Sequence, residues 1–134
     1  MTKERLRAYK DLRQERDQLA KMLGDIEAVM YGPRASRMDG MPRGGLVSTG
    51  GPTEELATRH IEVEARYREK VAQLTALLDE IEQSIEVLDP RERTLIRLHY
   101  IEGRIWEEVC IEMSYSWMQV HRIHAKALEK LKTA

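Results

Sequence analysis

Between Ser116 and Lys126 the chain sets out a hydroxyl, an indole, a thioether, a carboxamide, an imidazole, a guanidinium and an ammonium. They belong to Ser116, Trp117, Met118, Gln119, His121, Arg122 and Lys126. These groups read nucleic acid. A guanidinium reaches a guanine edge, a carboxamide pairs bidentately with adenine, and an ammonium meets phosphate. Charge supports the assignment. From Ser114 onward there are four Lys/Arg against Glu129 alone, a balance of +3, with His121 and His124 in addition. Residues 54–90 hold four Lys/Arg against ten Asp/Glu, a balance of −6. The formal net charge of −1 thus conceals a polarised chain whose basic end suits a polyanion.

Other chemistries fit less well. Paired carboxylates abound on the helical stretches, but no nucleophile or metal-ligand spacing accompanies them, so the chain is not expected to be an enzyme. His121 and His124 lie three residues apart, and Cys110 precedes them. No second cysteine or acidic ligand follows at a zinc-like spacing, so neither metal nor cofactor is expected. The two histidines are read as DNA-facing or surface groups. Residues 32–52 carry six of the eight glycines and three of the four prolines. Without a preceding strand or a Gly-Lys-Ser/Thr ending they make a flexible loop, not a phosphate cradle.

The elements that position these groups are helices. Aromatics are 5% of the chain with no Phe, and the apolar content is Leu, Ile, Val, Met and Ala. Residues 2–30 read as one amphipathic helix with Leu12, Leu19, Leu23, Ile26 and Met30 on its apolar face. Thr53 caps a second helix reaching Leu88. There Val71, Leu74, Leu78, Ile81, Ile85 and Leu88 alternate spacings of three and four, a heptad stripe suited to another helix. Pairing within the chain gives an antiparallel coiled-coil hairpin, and pairing between chains gives a homodimer. The pattern fits both. Asp89-Pro90 restarts the chain into a third helix over 91–101 that buries Leu95, Ile96, Leu98 and Tyr100. A fourth covers 105–113, Ser114-Tyr115 is a corner, and Ser116 caps a fifth that reaches Leu131.

Two short helices joined by such a corner form a helix-turn-helix, whose second helix enters the major groove. Val109, Met113, Val120, Ile123, Ala127 and Leu131 fall inward on this reading, and Trp106 packs at the start of the fourth helix. The expected fold is all-α: a helical hairpin over 1–88 with a flexible loop at 32–52, then a three-helix helix-turn-helix domain over 89–134. Helix 116–131 is the recognition helix.

Residues 88–131 resemble region 4 of the sigma-70 factors, the part that reads promoters. The resemblance is carried by Pro90-Arg91-Glu92-Arg93, by Tyr100 to Gly103, by Glu107-Glu108-Val109, by Ser116, Val120 and Ile123, and by Ala127-Leu128 with Leu131. The wording from Ser114 to Leu131 is similar to a phage and prophage group, the ArpU-like late-transcription regulators. The resemblance implies sequence-specific binding of double-stranded DNA and control of transcription in a bacterial host. It does not extend to the sigma module that melts promoters. Where sigma factors place Arg and Glu, this chain has Trp117, Met118, Gln119, His121 and Arg122, so a different DNA target is implied. Ser114 stands where the turn residue is often Gly, and Ile105 where a Ser or Thr cap is expected.

Two further readings compete. A small terminase-like DNA-packaging protein also joins a helix-turn-helix to a coiled coil. A polymerase-docking protein would use the same domain to bind bacterial RNA polymerase. Cys110 is the only cysteine, the N-terminal stretch lacks the apolar core of a signal peptide, and no apolar run approaches the ~20 residues of a membrane span. A cytoplasmic location in the bacterial host cell, away from any membrane, is expected.

Overall fold

A computed structural model describes residues 1–32 and 54–133. The loop expected at 32–52, beyond Gly32 itself, and the Thr53 cap lie outside the described residues. The fold is all-α, with an N-terminal two-helix hairpin and a C-terminal three-helix bundle of helix-turn-helix type. The hairpin helices are α1 (Lys3–Tyr31) and α2 (Glu54–Ser84), the latter extended by a single 3-10 turn, Ile85–Val87. The bundle consists of α3 (Pro90–Ile96), α4 (Trp106–Met113) and α5 (Trp117–Thr133).

By packing, the chain falls into two compact units, Gln14–Val71 and the pair of segments Met1–Arg13 and Ala72–Ala134. In the first, Ile26, Met30 and Val63 form the core, with Leu19, Met22, Leu23 and Leu56 around them. Lys70 pairs with Glu15 at 2.6 Å and His60 with Glu27 at 3.0 Å. As α1 advances its partner on α2 retreats, so the helices run antiparallel.

The second unit holds the larger core. Leu74, Ile81, Ile85 and Leu88 of the heptad stripe are buried, and Leu78 is half-buried. They meet Leu95, Ile96, Leu98, Tyr100, Val109, Val120, Ile123, Ala127 and Leu131 in a single cluster. Leu6, Tyr9 and Leu77 belong to it too, although the periodicity does not single them out. The first turns of α1 and the last turns of α2 are thus built into the helix-turn-helix core. Arg5 seals their outer edge with two hydrogen bonds to the Glu80 carboxylate, the shorter 2.8 Å.

The third helix is not regular to Ile101. After Ile96 it widens into a π-type turn over Arg97–Ile101, in which the Glu102 N–H bonds the Arg97 carbonyl at 2.8 Å. Underwinding of this kind changes the phase of the residues that follow, and Tyr100 ends inside the core. The freed Ile101 carbonyl accepts a 2.6 Å hydrogen bond from the Arg13 guanidinium of α1. Gly103 then reverses the chain at φ 74, where a side chain is disfavoured and a Cβ would lie 3.3 Å from Arg13 Nη1.

Candidate nucleic-acid interface

The corner between α4 and α5 is made by Ser114, whose φ of 58 and ψ of 40 are left-handed. It ends α4, with the Ser114 N–H on the Ile111 carbonyl at 3.2 Å and the Tyr115 N–H on the Cys110 carbonyl at 3.1 Å. At the other end of α4, Ile105 is the N-cap and begins no helical turn. It has no polar side chain to cap with, so only half a capping box forms: the Glu108 carboxylate accepts the Ile105 N–H at 3.2 Å.

The start of α5 is capped from both directions. Ser116 Oγ accepts the Gln119 N–H at 3.2 Å, and Gln119 Oε1 accepts the Ser116 N–H at 2.9 Å. This reciprocal pair fixes the entry of the helix. It also employs the Gln119 carbonyl oxygen that a bidentate adenine contact would use. Gln119 therefore enters any complex already engaged, with its amide hydrogens the uncommitted donors.

Of the seven residues singled out from sequence, Ser116, Trp117, Met118, Gln119, Arg122 and Lys126 are exposed. Trp117 keeps 53% of its surface and Met118 70%. Neither Arg122 nor Lys126 has a carboxylate partner among the described residues. His121 differs. It is half-buried between two indoles, 4.8 Å from Trp106 and 4.3 Å from Trp117 by ring centroids. Its Nε2 is buried without a hydrogen-bond partner in the free protein. Trp106 packs as its position suggested, stacked on His99 at 3.8 Å.

His124 does not face DNA or solvent. It is buried, and its Nε2 hydrogen-bonds the Tyr100 hydroxyl at 2.7 Å. The reason is phase: His124 falls on the face of α5 that carries Val120, Ala127 and Leu131. Burial is the main cause that pushes its pKa down to about 4, with His99, Lys3, His121 and Arg7 adding to the effect. Burial likewise lowers His99 and raises Tyr100 to about 12.

The charge count near the C-terminus also needs correction, because Lys130 is engaged internally. It bonds the Glu92 carboxylate at 2.8 Å and lies 3.6 Å from Asp89, so the hydrogen bond to Glu92 raises its pKa. Glu92 is 2% exposed, and its Oε1 accepts the Asp89 N–H at 2.9 Å as well. One buried carboxylate thereby caps α3 and ties it to the far end of α5. This accounts physically for a glutamate two residues after the helix-starting Pro90.

A family model described as Sigma-70, region 4 matches residues 84–133. Residues 84–133 are a sigma-70 region 4-like helix-turn-helix domain. Neither the curated proteins nor the solved structures yield a match to the chain. The region 4-like domain is of a DNA-binding, non-catalytic type. Among the described residues no group of three or more His, Cys, Asp or Glu is placed to hold a metal ion, and no helix is long and apolar enough to cross a membrane. The matched stretch begins at Ser84, so the region 4-like domain takes in the 3-10 turn and Leu88 as well as α3 to α5.

Proposed function

We propose that this chain is a sequence-specific transcription regulator of phage or prophage type, of the ArpU-like kind, which lays α5 in the major groove of double-stranded DNA. The observation that carries the reading is the face of α5: a capped N-terminus followed by exposed Trp117, Met118, Arg122 and Lys126, with neither cation paired among the described residues. An exposed indole and thioether beside unpaired cations suit the apolar and charged edges of a groove. Backbone N–H groups at the start of α5 suit a phosphate. On this reading residues 89–134 read DNA, the hairpin of 1–88 supports them, and Ser116, Trp117, Met118, Gln119, His121, Arg122 and Lys126 form the contact set. The working compartment is the cytoplasm of the bacterial host.

Footprinting of the full chain across phage late promoters tests this proposal. Protection of a discrete site, abolished by Arg122→Ala, supports it. Uniform weak binding with no protected site refutes the sequence-specific part.

Docking to bacterial RNA polymerase is a second reading, favoured by one observation. Ile111 of α4 is 78% exposed and Ile105 58%, apolar surface on the domain that α5 alone does not require. Retention of the chain on purified polymerase, abolished by Ile111→Glu, distinguishes this role from DNA reading. Homodimerisation and a ring-forming, terminase-like assembly are decided by light scattering.

A further inference from the structure

We propose that α1 extends the DNA-binding surface: Lys3, Arg7 and Lys10 form a basic rail beside α5 that holds the phosphate backbone flanking the groove. The inference rests on the reading of α5 as the groove helix, and it adds a second contact region from outside the matched stretch 84–133.

The rail follows from helical phase. Lys3, Arg7 and Lys10 are spaced by four and three residues and so share one side of α1. Leu6, Tyr9 and Arg13 define the edge that enters the domain: the first two are core residues and the third holds the Ile101 carbonyl. Arg5 marks the flank facing α2, where it pairs with Glu80. The three rail residues occupy the opposite flank. None of them has a carboxylate within ion-pair reach among the described residues, whereas Arg5 on the same helix does.

The start of that flank lies beside the last turns of α5. Thr2, Lys3 and Glu4 line one groove together with Leu128, Glu129, Lys132 and Thr133. The charges are also felt by the inward groups of the domain. Burial is the main cause that lowers His99 and His124; behind it Lys10 and Lys3 act on the first, and Lys3 and Arg7 on the second. Arg7 and Lys10 are exposed and Lys3 is half-buried. Unpaired cations on a rigid helix, fixed against the domain by Arg13 and two core side chains, complement phosphate. A helix held this way gives up little backbone freedom when DNA arrives. Merely solubilising charge would need no such fixed placement, and the experiment separates the two.

The full chain is titrated with a random-sequence duplex of about 30 base pairs at several salt concentrations, because the phosphate contribution is carried by non-specific binding. The triple variant Lys3→Gln, Arg7→Gln, Lys10→Gln is expected to bind about tenfold or more weakly at low salt. Its slope of log K against log salt should shrink by up to about 2.7, or about 0.9 for each phosphate that is no longer neutralised. Lys21→Gln removes a cation paired with Asp25 in the other compact unit and should change neither quantity. The double variant Lys3→Arg, Lys10→Arg should bind like the wild type. Circular dichroism and melting temperature confirm that each variant is folded.

A triple variant with wild-type affinity and slope, while Lys126→Ala is impaired, overturns the rail and leaves the α5 reading standing. A weakened triple variant with Arg122→Ala and Lys126→Ala both unaffected keeps α1 as a DNA contact and removes α5 from the groove. A wild-type chain that binds no duplex overturns both.

Discussion

Tyr100 and His124, on different helical segments, share a 2.7 Å hydrogen bond inside the region 4-like core. The pair makes the fold sensitive to acid. Burial holds His124 near pKa 4, below the ordinary value of 6.5, so the unfolded chain binds a proton at mildly acidic pH that the folded chain refuses. Where the unfolded state carries more protons, stability rises with pH. The stability held by neutral His124 is therefore complete above about pH 6.5, is lost progressively as pH falls toward 4, and changes no further below that. His99 is lowered in the same direction, chiefly by burial, and adds to the loss as pH falls below its ordinary value of 6.5. The expected loss between about pH 7.5 and 4.5 is on the order of 2–3 kcal/mol. Thermal melts across this range check it. His124→Gln should flatten the profile, and an unchanged slope in that variant would assign the acid sensitivity elsewhere.

Ser114 offers a test in the stabilising direction. It sits at φ 58, where glycine alone adopts the left-handed conformation without steric cost. Its side chain is exposed at the corner. Ser114→Gly should therefore raise stability by about 0.5–1 kcal/mol, the relief of strain being partly offset by the greater freedom of glycine in the unfolded chain. Chemical denaturation with an unchanged m-value measures the effect. A destabilised variant would mean that the serine is held by more than the backbone.

Much of this organisation is legible in the sequence because it is periodic or depends on strong local signals. The heptad from Leu74 to Leu88, the Asp89-Pro90 start and the inward set Val109, Val120, Ile123, Ala127 and Leu131 all follow from spacing and turn chemistry. His124 is legible in part. Its phase matches Val120 and Ala127, but its polarity argues for the surface, and only the Tyr100 hydroxyl supplied from another segment makes its burial tolerable. Tyr100 is buried as its position suggests, but it gets there through a π-type turn that no regular period shows. Lys130 looks like one more cation on a basic helix because Glu92, its partner, lies 38 residues away. The common failure is tertiary pairing. A residue's own segment reports its phase but not the group that meets it.

Leu6 illustrates the same point energetically. It is fully buried in the cluster that also contains Leu95, Val109 and Val120, although it lies near the start of the chain. Leu6→Ala should cost about 2–5 kcal/mol, the range for a buried leucine that leaves a cavity. A fragment of residues 89–134 lacks Leu6, Tyr9, Leu74, Leu77, Ile81, Ile85 and Leu88 and should be largely unfolded alone. Adding α1 and α2 back as part of the full chain restores the helix-turn-helix. Amide hydrogen exchange on α5 in fragment and full chain compares the two directly, and equal protection would show that the three C-terminal helices suffice.

The α5 substitutions test the functional proposal most directly, because two neighbouring cations should fail in different ways. Arg122 and Lys126 are one helical turn apart, both exposed and both without a carboxylate partner among the described residues. An N-terminal position on a groove helix meets base edges, and a position one turn later meets the backbone. Arg122→Ala is expected to cost roughly 1–3 kcal/mol on the preferred site and to relax discrimination at one base pair. Lys126→Ala is expected to weaken all duplexes nearly equally and to reduce the salt slope by about one phosphate. Global unfolding would lower both signals together and abolish the distinction, so a melting curve accompanies each titration. Ser116→Ala removes both the cap on the Gln119 N–H and a member of the proposed contact set, so it should cost about 1 kcal/mol of stability and lower affinity by more than fraying of α5 alone would. Wild-type binding by folded Arg122→Ala and Lys126→Ala on both specific and scrambled duplexes would take α5 out of the groove. The exposed Ile105 and Ile111 surface would then become the working face of the domain.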